Sequence, residues 1–346
     1  MAYGFPADSA ATSMPSPGGP RNAVNIAITC RGLRVEVDSD ILIAGGSKMI
    51  LVVGGTGTLG GEICQRLRAR GLAVRALVRR TANSARLKPL RDAGVNLCWG
   101  DLKDVDSLRN ACQGVNVVIS TASSTLSRQD GDSIESVDHQ GQLSLIAAAR
   151  AAGVEHFTFV TIPRKRVRES PLTRAKAEAE RALADSGMGY TILAANYFME
   201  IWLSPALGFD YPQRKVALFG DGRALITWVS YRDVAEFAVC SHLTPGAHNR
   251  ILDVGGPKDL SPLEVVGIFE EVSGAPFERQ FVPEEALLAQ LDSATDPLAE
   301  TFAKLQLEYV HGCPMNTSET LGLIPIDLTS VAQYAAAVCG QSVTSA

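Results

Sequence analysis

Three glycines and two arginines carry the first chemistry in this chain. Gly54-Gly55-Thr56-Gly57-Thr58-Leu59-Gly60-Gly61 follows the apolar run Ile50-Leu51-Val52-Val53 and leads into Glu62-Ile63-Cys64-Gln65-Arg66-Leu67-Arg68, which suits a helix. Strand, glycine turn and helix start in that order form an anion cradle. One glycine makes the turn, one lets the backbone approach a diphosphate, and one permits close helix–strand packing. The helix start adds unpaired N–H groups and the positive end of its dipole. A second apolar run, Ala73 to Val78, ends on Arg79-Arg80. About 20 residues past such glycines, Asp or Glu would accept from the ribose 2′-hydroxyl of NAD. Guanidiniums there clamp a 2′-phosphate instead, so NADPH is expected over NADH. The plainer alternative is a pair of solvated strand-end charges.

These residues need a scaffold, and the pattern beyond Met49 supplies one. Further strands are expected at Asn96–Gly100, Val115–Ser120, His156–Thr161, Tyr190–Leu193 and Arg250–Val254. Helices are expected near Ser84–Ala93, Val105–Cys112, Ser136–Ala152 and Leu172–Ser186. Such alternation implies right-handed βαβ crossovers and an α/β architecture with a doubly wound parallel sheet. Ser261-Pro262-Leu263-Glu264 starts a later helix, and Phe277–Val282 reads as a strand in a mostly helical remainder. Met1 to Pro20 has the composition of a flexible tail, and Val24 to Ile43 holds two short strand patterns.

Composition narrows the class. The 346 residues carry a net charge of −5, which argues against a general nucleic-acid surface. No apolar run reaches the roughly 18 residues of a membrane span. Seven cysteines (Cys30, Cys64, Cys98, Cys112, Cys240, Cys313 and Cys339) lie scattered without CxxC spacing. That pattern argues against a disulfide framework or zinc site and favours a reducing, cytoplasmic setting. Five dispersed histidines give no metal centre.

From Met49 to about Ala337 the chain resembles the NmrA-like branch of the atypical short-chain dehydrogenase/reductase superfamily. GGTGTLG at 54–60, LVRR at 77–80, GDL at 100–102, STAS at 120–123, AAGVEHFTFVT at 151–161, NYFME at 196–200 and TWVSYRDVAEFAV at 227–239 carry the likeness. The resemblance implies a Rossmann-type NADP site. Gly54, Gly55, Thr56, Gly57, Thr58, Leu59 and Gly60 would hold the diphosphate, and Arg79 with Arg80 the adenosine phosphate. Asp101 and Leu102 would flank the adenine, and Thr121, Ala122 and Ser123 the ribose and nicotinamide side. Ala195, Asn196, Tyr197 and Phe198 would close over the nicotinamide.

The same resemblance exposes a departure. Short-chain dehydrogenases place a Tyr four residues before the active-site Lys, yet here Leu172 precedes Lys176. The usual serine is matched by Thr161. Three readings stay open: Lys176 anchors the ribose and stabilises substrate charge, Lys176 is itself the acid/base, or the protein binds NADPH without turnover. A fourth treats Arg174 to Glu180 as a solvated helix face with an i,i+4 pair. Tyr197 is the best tyrosine candidate for a proton, and His139 stands near the cleft as a candidate relay. Where relatives often carry Arg, this chain has Ala194. The basic run Pro163 to Arg168 would attract an acidic substrate or partner. Trp202, Trp228 and Tyr231 would line an apolar, partly aromatic substrate pocket.

The expected organisation is an irregular extension over 1–48, an NADP-binding body over 49–198 plus 232–256, and a substrate region over 199–231 plus 257–340. The expected function is NADPH-dependent hydride transfer to a small conjugated electrophile such as a quinone or enone. An NADP-sensing regulator is the alternative. A small apolar or aromatic molecule is the expected partner, with a homodimer left open and neither nucleic acid nor membrane involved.

Overall fold

A computed structural model of the chain describes residues 26–30, 33–37, 48–126, 128–163 and 168–341. The tail Met1 to Pro20 and Arg164 to Val167 of the basic run lie outside them. The two short strand patterns near the start form an antiparallel hairpin, β1 (Ile26–Cys30) and β2 (Leu33–Val37).

From Met49 the chain alternates as the periodicity predicts. β3 (Met49–Val53), α1 (Thr58–Ala69), β4 (Ala73–Val78), α2 (Ser84–Asp92), β5 (Asn96–Trp99), α3 (Val105–Cys112) and β6 (Val117–Ser120) come first. α4 (Gln140–Ala151), β7 (His156–Thr161), α5 (Pro171–Ala184) and β8 (Gly189–Ala195) follow. After a short helix α6 (Met199–Trp202) and strands β9 (Phe209–Asp210), β10 (Lys215–Phe219) and β11 (Ile226–Thr227), helix α7 (Tyr231–Ser241) leads back to β12 (Arg250–Val254). Strands β13 (Asp259–Leu260) and β14 (Glu278–Val282) then accompany helices α8 (Pro262–Ser273), α9 (Glu284–Asp292), α10 (Pro297–His311), α11 (Ser318–Leu323) and α12 (Val331–Gln341).

Seven strands form one parallel sheet in the order β12-β8-β7-β6-β3-β4-β5. Its central strands β6 and β7 are buried at every residue, and β3 at all but its first, as expected of a parallel sheet covered on both faces. One core, with Ile63, Leu67, Val234 and Phe237, covers one face of the sheet; another, with Leu108, Leu145, Phe157 and Leu183, covers the other. The strand order reverses between β3 and β6. A crevice opens there, beyond the carboxyl ends of the strands, where sheets of this kind bind ligands.

A third core gathers Tyr197, Met199, Trp228, Phe269 and Tyr309 beside that crevice. Its part after Ser261 is mostly helical with β14, as expected, but it also carries short strands the sequence does not announce: β10 pairs with β14 and β9, and β11 pairs with β13. Strands of two to five residues leave too little alternation to be read.

The helix expected from Ser136 begins instead as a π-turn over Ile134–His139, capped reciprocally by Ser133 and Ser136. The wider turn buries both Val137 and Asp138. Pro171 and Pro262 occupy first turns, and Ser170 and Ser261 cap them with their side chains. Among the described residues Cys64, Cys98, Cys112 and Cys339 are free thiols. Cys240 is disulfide-bonded, a bond that the scattered spacing, read as arguing against a disulfide framework, did not anticipate. Among the described residues no helix is long and apolar enough to cross a membrane.

Candidate functional site

A cleft of about 950 Å³ runs along the carboxyl ends of β3, β4, β6, β7 and β8. One end is built by the glycine turn. Gly54 has φ +89°, and a Cβ there would stand 2.6 Å from Thr121 Oγ1 and 3.0 Å from Ala122 N. Gly60 brings α1 against the turn so closely that a Cβ would lie 2.3 Å from Gly54 O. Gly57 N donates to Gly54 O at 2.9 Å, closing the turn. Gly57 then begins α1 without a side-chain cap, and the first turn holds no acidic residue. Thr56, Gly57, Thr58, Leu59 and Gly60 all line the cleft, so uncapped helix N–H groups border it.

Beyond the turn, Arg79, Asp101, Leu102, Thr121, Ala122 and Ser123 line the cleft as well. The Arg79 guanidinium is not alone. Its Nη1 meets Asp132 Oδ2, which also accepts from Gln129 N at 2.9 Å, while Lys103 Nζ pairs with Asp132 Oδ1. Burial pushes the Asp132 carboxyl up, but hydrogen bonds from Lys103, Gln129 N and Arg79 outweigh it and hold it below the usual range. Lys103 and Asp132 were not singled out from the sequence, because their meeting with Arg79 depends on the loop after β6.

The other end holds the titratable groups. Lys176, on α5, lines the cleft yet is only 4% exposed, and Glu180 one turn on is 3% exposed. The solvated-face reading of this helix therefore fails. Lys176 Nζ lies 3.5 Å from Asp138 Oδ1 and 4.9 Å from the centre of the Phe159 ring. Thr161 donates its hydroxyl to Glu180 Oε1 at 2.7 Å. Leu172 occupies the position one turn before Lys176 and is buried in the cleft wall. Tyr197 also lines the cleft, but its hydroxyl donates to Leu305 O on α10 at 3.0 Å, and burial drives its phenol well above the ordinary value. Ala195, Asn196, Phe198, Trp202 and Tyr231 complete this end. Glu200, unremarked in the sequence, accepts from Ser230 Oγ at 2.6 Å and Tyr231 N at 3.0 Å, tying α6 to the start of α7.

A family model for the NmrA-like family matches residues 46–320. The chain belongs to the NmrA-like family. Among its relatives, the isoflavone reductase homolog IRL of Zea mays is 32% identical over 272 residues, covering 76% of this chain and 86% of the relative. The photosystem II assembly factor Ycf39 of Trieres chinensis is 30% identical over 239 residues, 68% of this chain and 72% of that one. The NADPH-dependent quinone oxidoreductase QOR2 of Escherichia coli, solved with NADPH, shares the fold with a TM-score of 0.68 at 23% identity, over 84% of this chain and 99% of that one.

Four residues singled out for this NmrA-like cleft lie away from its walls. Gly55 packs inward, where a Cβ would meet Ala76 Cβ at 3.1 Å and Cys64 Sγ at 3.4 Å. Arg80 follows β4 into the next turn, where it is exposed to solvent. His139 turns outward from the π-turn, with Nδ1 3.0 Å from Glu135 Oε1 and Nε2 2.6 Å from Glu178 Oε2. Trp228 is 1% exposed in the third core and donates Nε1–H to Leu260 O. Of the basic run, Pro163 reaches the cleft wall and Arg168 N donates to Glu308 Oε1 at 2.8 Å.

Proposed function

We propose that this NmrA-like chain is an NADPH-dependent reductase that passes hydride to a small conjugated electrophile, a quinone, enone or related carbonyl. One observation carries the proposal. A single cleft joins a glycine turn and uncapped helix start to a buried lysine beside an aromatic wall. The residues fit a dinucleotide on their own chemistry. At Gly54 and Gly60 a side chain would fill the cradle, and the N–H groups of the first turn of α1 await an anion.

In this reading Gly54 to Gly60 hold the diphosphate and Arg79 takes the 2′-phosphate. Asp101 and Leu102 flank the adenine, and Thr121 to Ser123 line the ribose. When bound, the reduced nicotinamide supplies the hydride. Lys176 anchors the ribose and stabilises negative charge developing on the acceptor oxygen, a role that grows with the low dielectric of a buried site. Tyr197, Phe198, Trp202 and Tyr231 offer aromatic surface to a planar acceptor. Residues 49–198 with 232–256 serve the cofactor, and 199–231 with 257–340 the acceptor. We place this activity in the cytoplasm, where the free thiols Cys64, Cys98, Cys112 and Cys339 would stay reduced and the disulfide at Cys240 is the exception. Similarity to an isoflavone reductase homolog supports the reductase class.

A second reading, an NADP(H)-sensing regulator, is favoured by the engaged hydroxyls. Tyr197 is committed to Leu305 O, Thr161 to Glu180, and Leu172 stands where a tyrosine would transfer a proton. Mixing the protein with NADPH and a panel of quinones, enones and aldehydes, followed at the nicotinamide absorbance band, separates the two. Turnover that disappears in Lys176→Ala supports the reductase. Tight NADP binding without NADPH oxidation across the panel favours the sensor.

A further inference from the structure

Lys176 and Asp138 are opposite charges buried against each other on elements far apart in sequence, α5 and the π-turn after β6. Their side chains are 5% and 0% exposed. Asp138 is held from one side only. Its Oδ2 accepts from Ser124 N at 2.9 Å and from Ser124 Oγ at 2.7 Å, whereas Oδ1 has no hydrogen-bond partner and faces Lys176 Nζ at 3.5 Å. An ammonium has three N–H donors. The ion pair and the Phe159 ring occupy two directions and leave capacity toward the cleft that Lys176 lines.

We propose that Asp138 is a positioning residue for Lys176: it keeps the ammonium charged and aimed into the cleft, Ser124 fixes the carboxylate, and Lys176 works as a fixed cation rather than a proton-shuttling base. The physical ground is the cost of separating such a pair. A buried charge stripped of its partner is uncompensated, and a lysine in that position relieves the cost by shedding its proton. The other groups around Lys176 do not replace Asp138. On α5, Glu180 accepts from Thr161, and Glu178 meets His139 Nε2 on the outer side. From β7, Phe159 offers a ring face, and beyond β8 Tyr197 is committed to Leu305 O. Ser124 follows directly on Thr121 to Ser123, so the carboxylate that aims Lys176 is fixed by the same strip of chain that lines the cleft.

This inference rests on the reductase reading only where kinetics are used. The first arm needs no ligand. In the full chain carrying 13Cε-labelled lysine, the Lys176 signal, assigned by its loss in Lys176→Arg, is followed against pH. Asp138→Asn is expected to lower the Lys176 midpoint by about one pH unit or more, since an opposite charge at this range shifts a partner by roughly that amount. Ser124→Ala, which leaves both charges in place, is expected to move it in the same direction by less. It also serves should Asp138→Asn fail to fold. An unmoved midpoint in folded Asp138→Asn, or in Ser124→Ala if only that variant folds, overturns the proposal. The second arm is the pH profile of NADPH oxidation. The alkaline limb of kcat should move to lower pH in Asp138→Asn by the same interval, whereas a merely structural defect would lower kcat at every pH and leave the limb in place. Absence of turnover in the wild type would remove the reductase reading, and the lysine titration would still decide the role of Asp138.

Discussion

Arg79 Nη1 lies 2.5 Å from Asp132 Oδ2, so the loop after β6 delivers a carboxylate onto the guanidinium proposed for the 2′-phosphate. An incoming phosphate meets a cation that is already paired. Arg79→Ala is expected to weaken NADPH by about 2 kcal/mol, roughly 30-fold, the loss of a charge-assisted bond. NADH should change little. Asp132→Asn has the opposite sign, tightening NADPH relative to NADH. Calorimetry with both coenzymes measures each effect, and equal losses in Arg79→Ala would sink the assignment.

Tyr197→Phe removes a hydroxyl whose proton is already given to Leu305 O. Turnover is expected to stay within about twofold of the wild type, with stability lower by about 1 kcal/mol for one buried hydrogen bond. Steady-state rates and thermal melts report the two separately. A hundredfold loss of kcat in a well-folded variant would restore Tyr197 as a catalytic acid.

Gly60→Ala would place a methyl 2.3 Å from the Gly54 carbonyl oxygen, and backbone cannot swing aside. The expected outcome is loss of coenzyme binding by at least about tenfold, together with a lower melting temperature. The neighbouring Gly61→Ala is the control. Its Cβ meets Gly55 O at 3.4 Å, an ordinary contact, and alanine favours the helix by up to about 1 kcal/mol. Similar behaviour of the two variants would remove the close-packing role given to Gly60.

At the end of the sheet opposite the cleft, His156 is pushed down to about 3 by burial and by the neighbouring His248 and His242. His242 is pushed down to about 4 by burial and by His248. Both imidazoles are neutral in the folded chain at pH 5, whereas in the unfolded chain they take up protons below their ordinary value near 6.5. Between those limits the unfolded state binds more protons, so stability is full above 6.5 and declines as pH falls. Each imidazole contributes about 1.4 kcal/mol per pH unit to that slope. Urea unfolding at pH 7, 6 and 5 tests it; a midpoint independent of pH over that range contradicts the burial of the pair.

What could be read in advance follows from how local each signal is. β3, the glycine turn and α1 are contiguous, and each step has its own residue preference, so the cradle was legible. β7 and β12 were legible as short segments rich in β-branched and aromatic or aliphatic residues between turns. Lys176 was harder. Along α5, Arg174, Lys176, Glu178 and Glu180 look like a wet face, but a 3.6-residue period puts Leu172, Lys176, Ala179, Glu180 and Leu183 on one stripe, and that stripe is buried. Asp138, Asp132 and Glu200 were invisible for a different reason. Arg79 and Asp132 are 53 residues apart, and nothing in either neighbourhood announces the pairing. His139 misled because its neighbour points inward: the π-turn buries Asp138 and leaves His139 between two glutamates.

The path of the chain through the sheet has a practical consequence. After β8 it departs to build β9, β10 and β11, comes back as α7 and β12 to complete the edge, and leaves again. Ile324, with Leu321, Leu323, Ile326 and Leu328, then returns to pack against the first core. No single cut releases an autonomous half: a fragment ending at Ala195 would forfeit a border strand and its covering helix, and one ending at Val254 would bare the apolar patch under Ile324. Dissecting this protein calls for point substitutions or grafted loops, not for truncation.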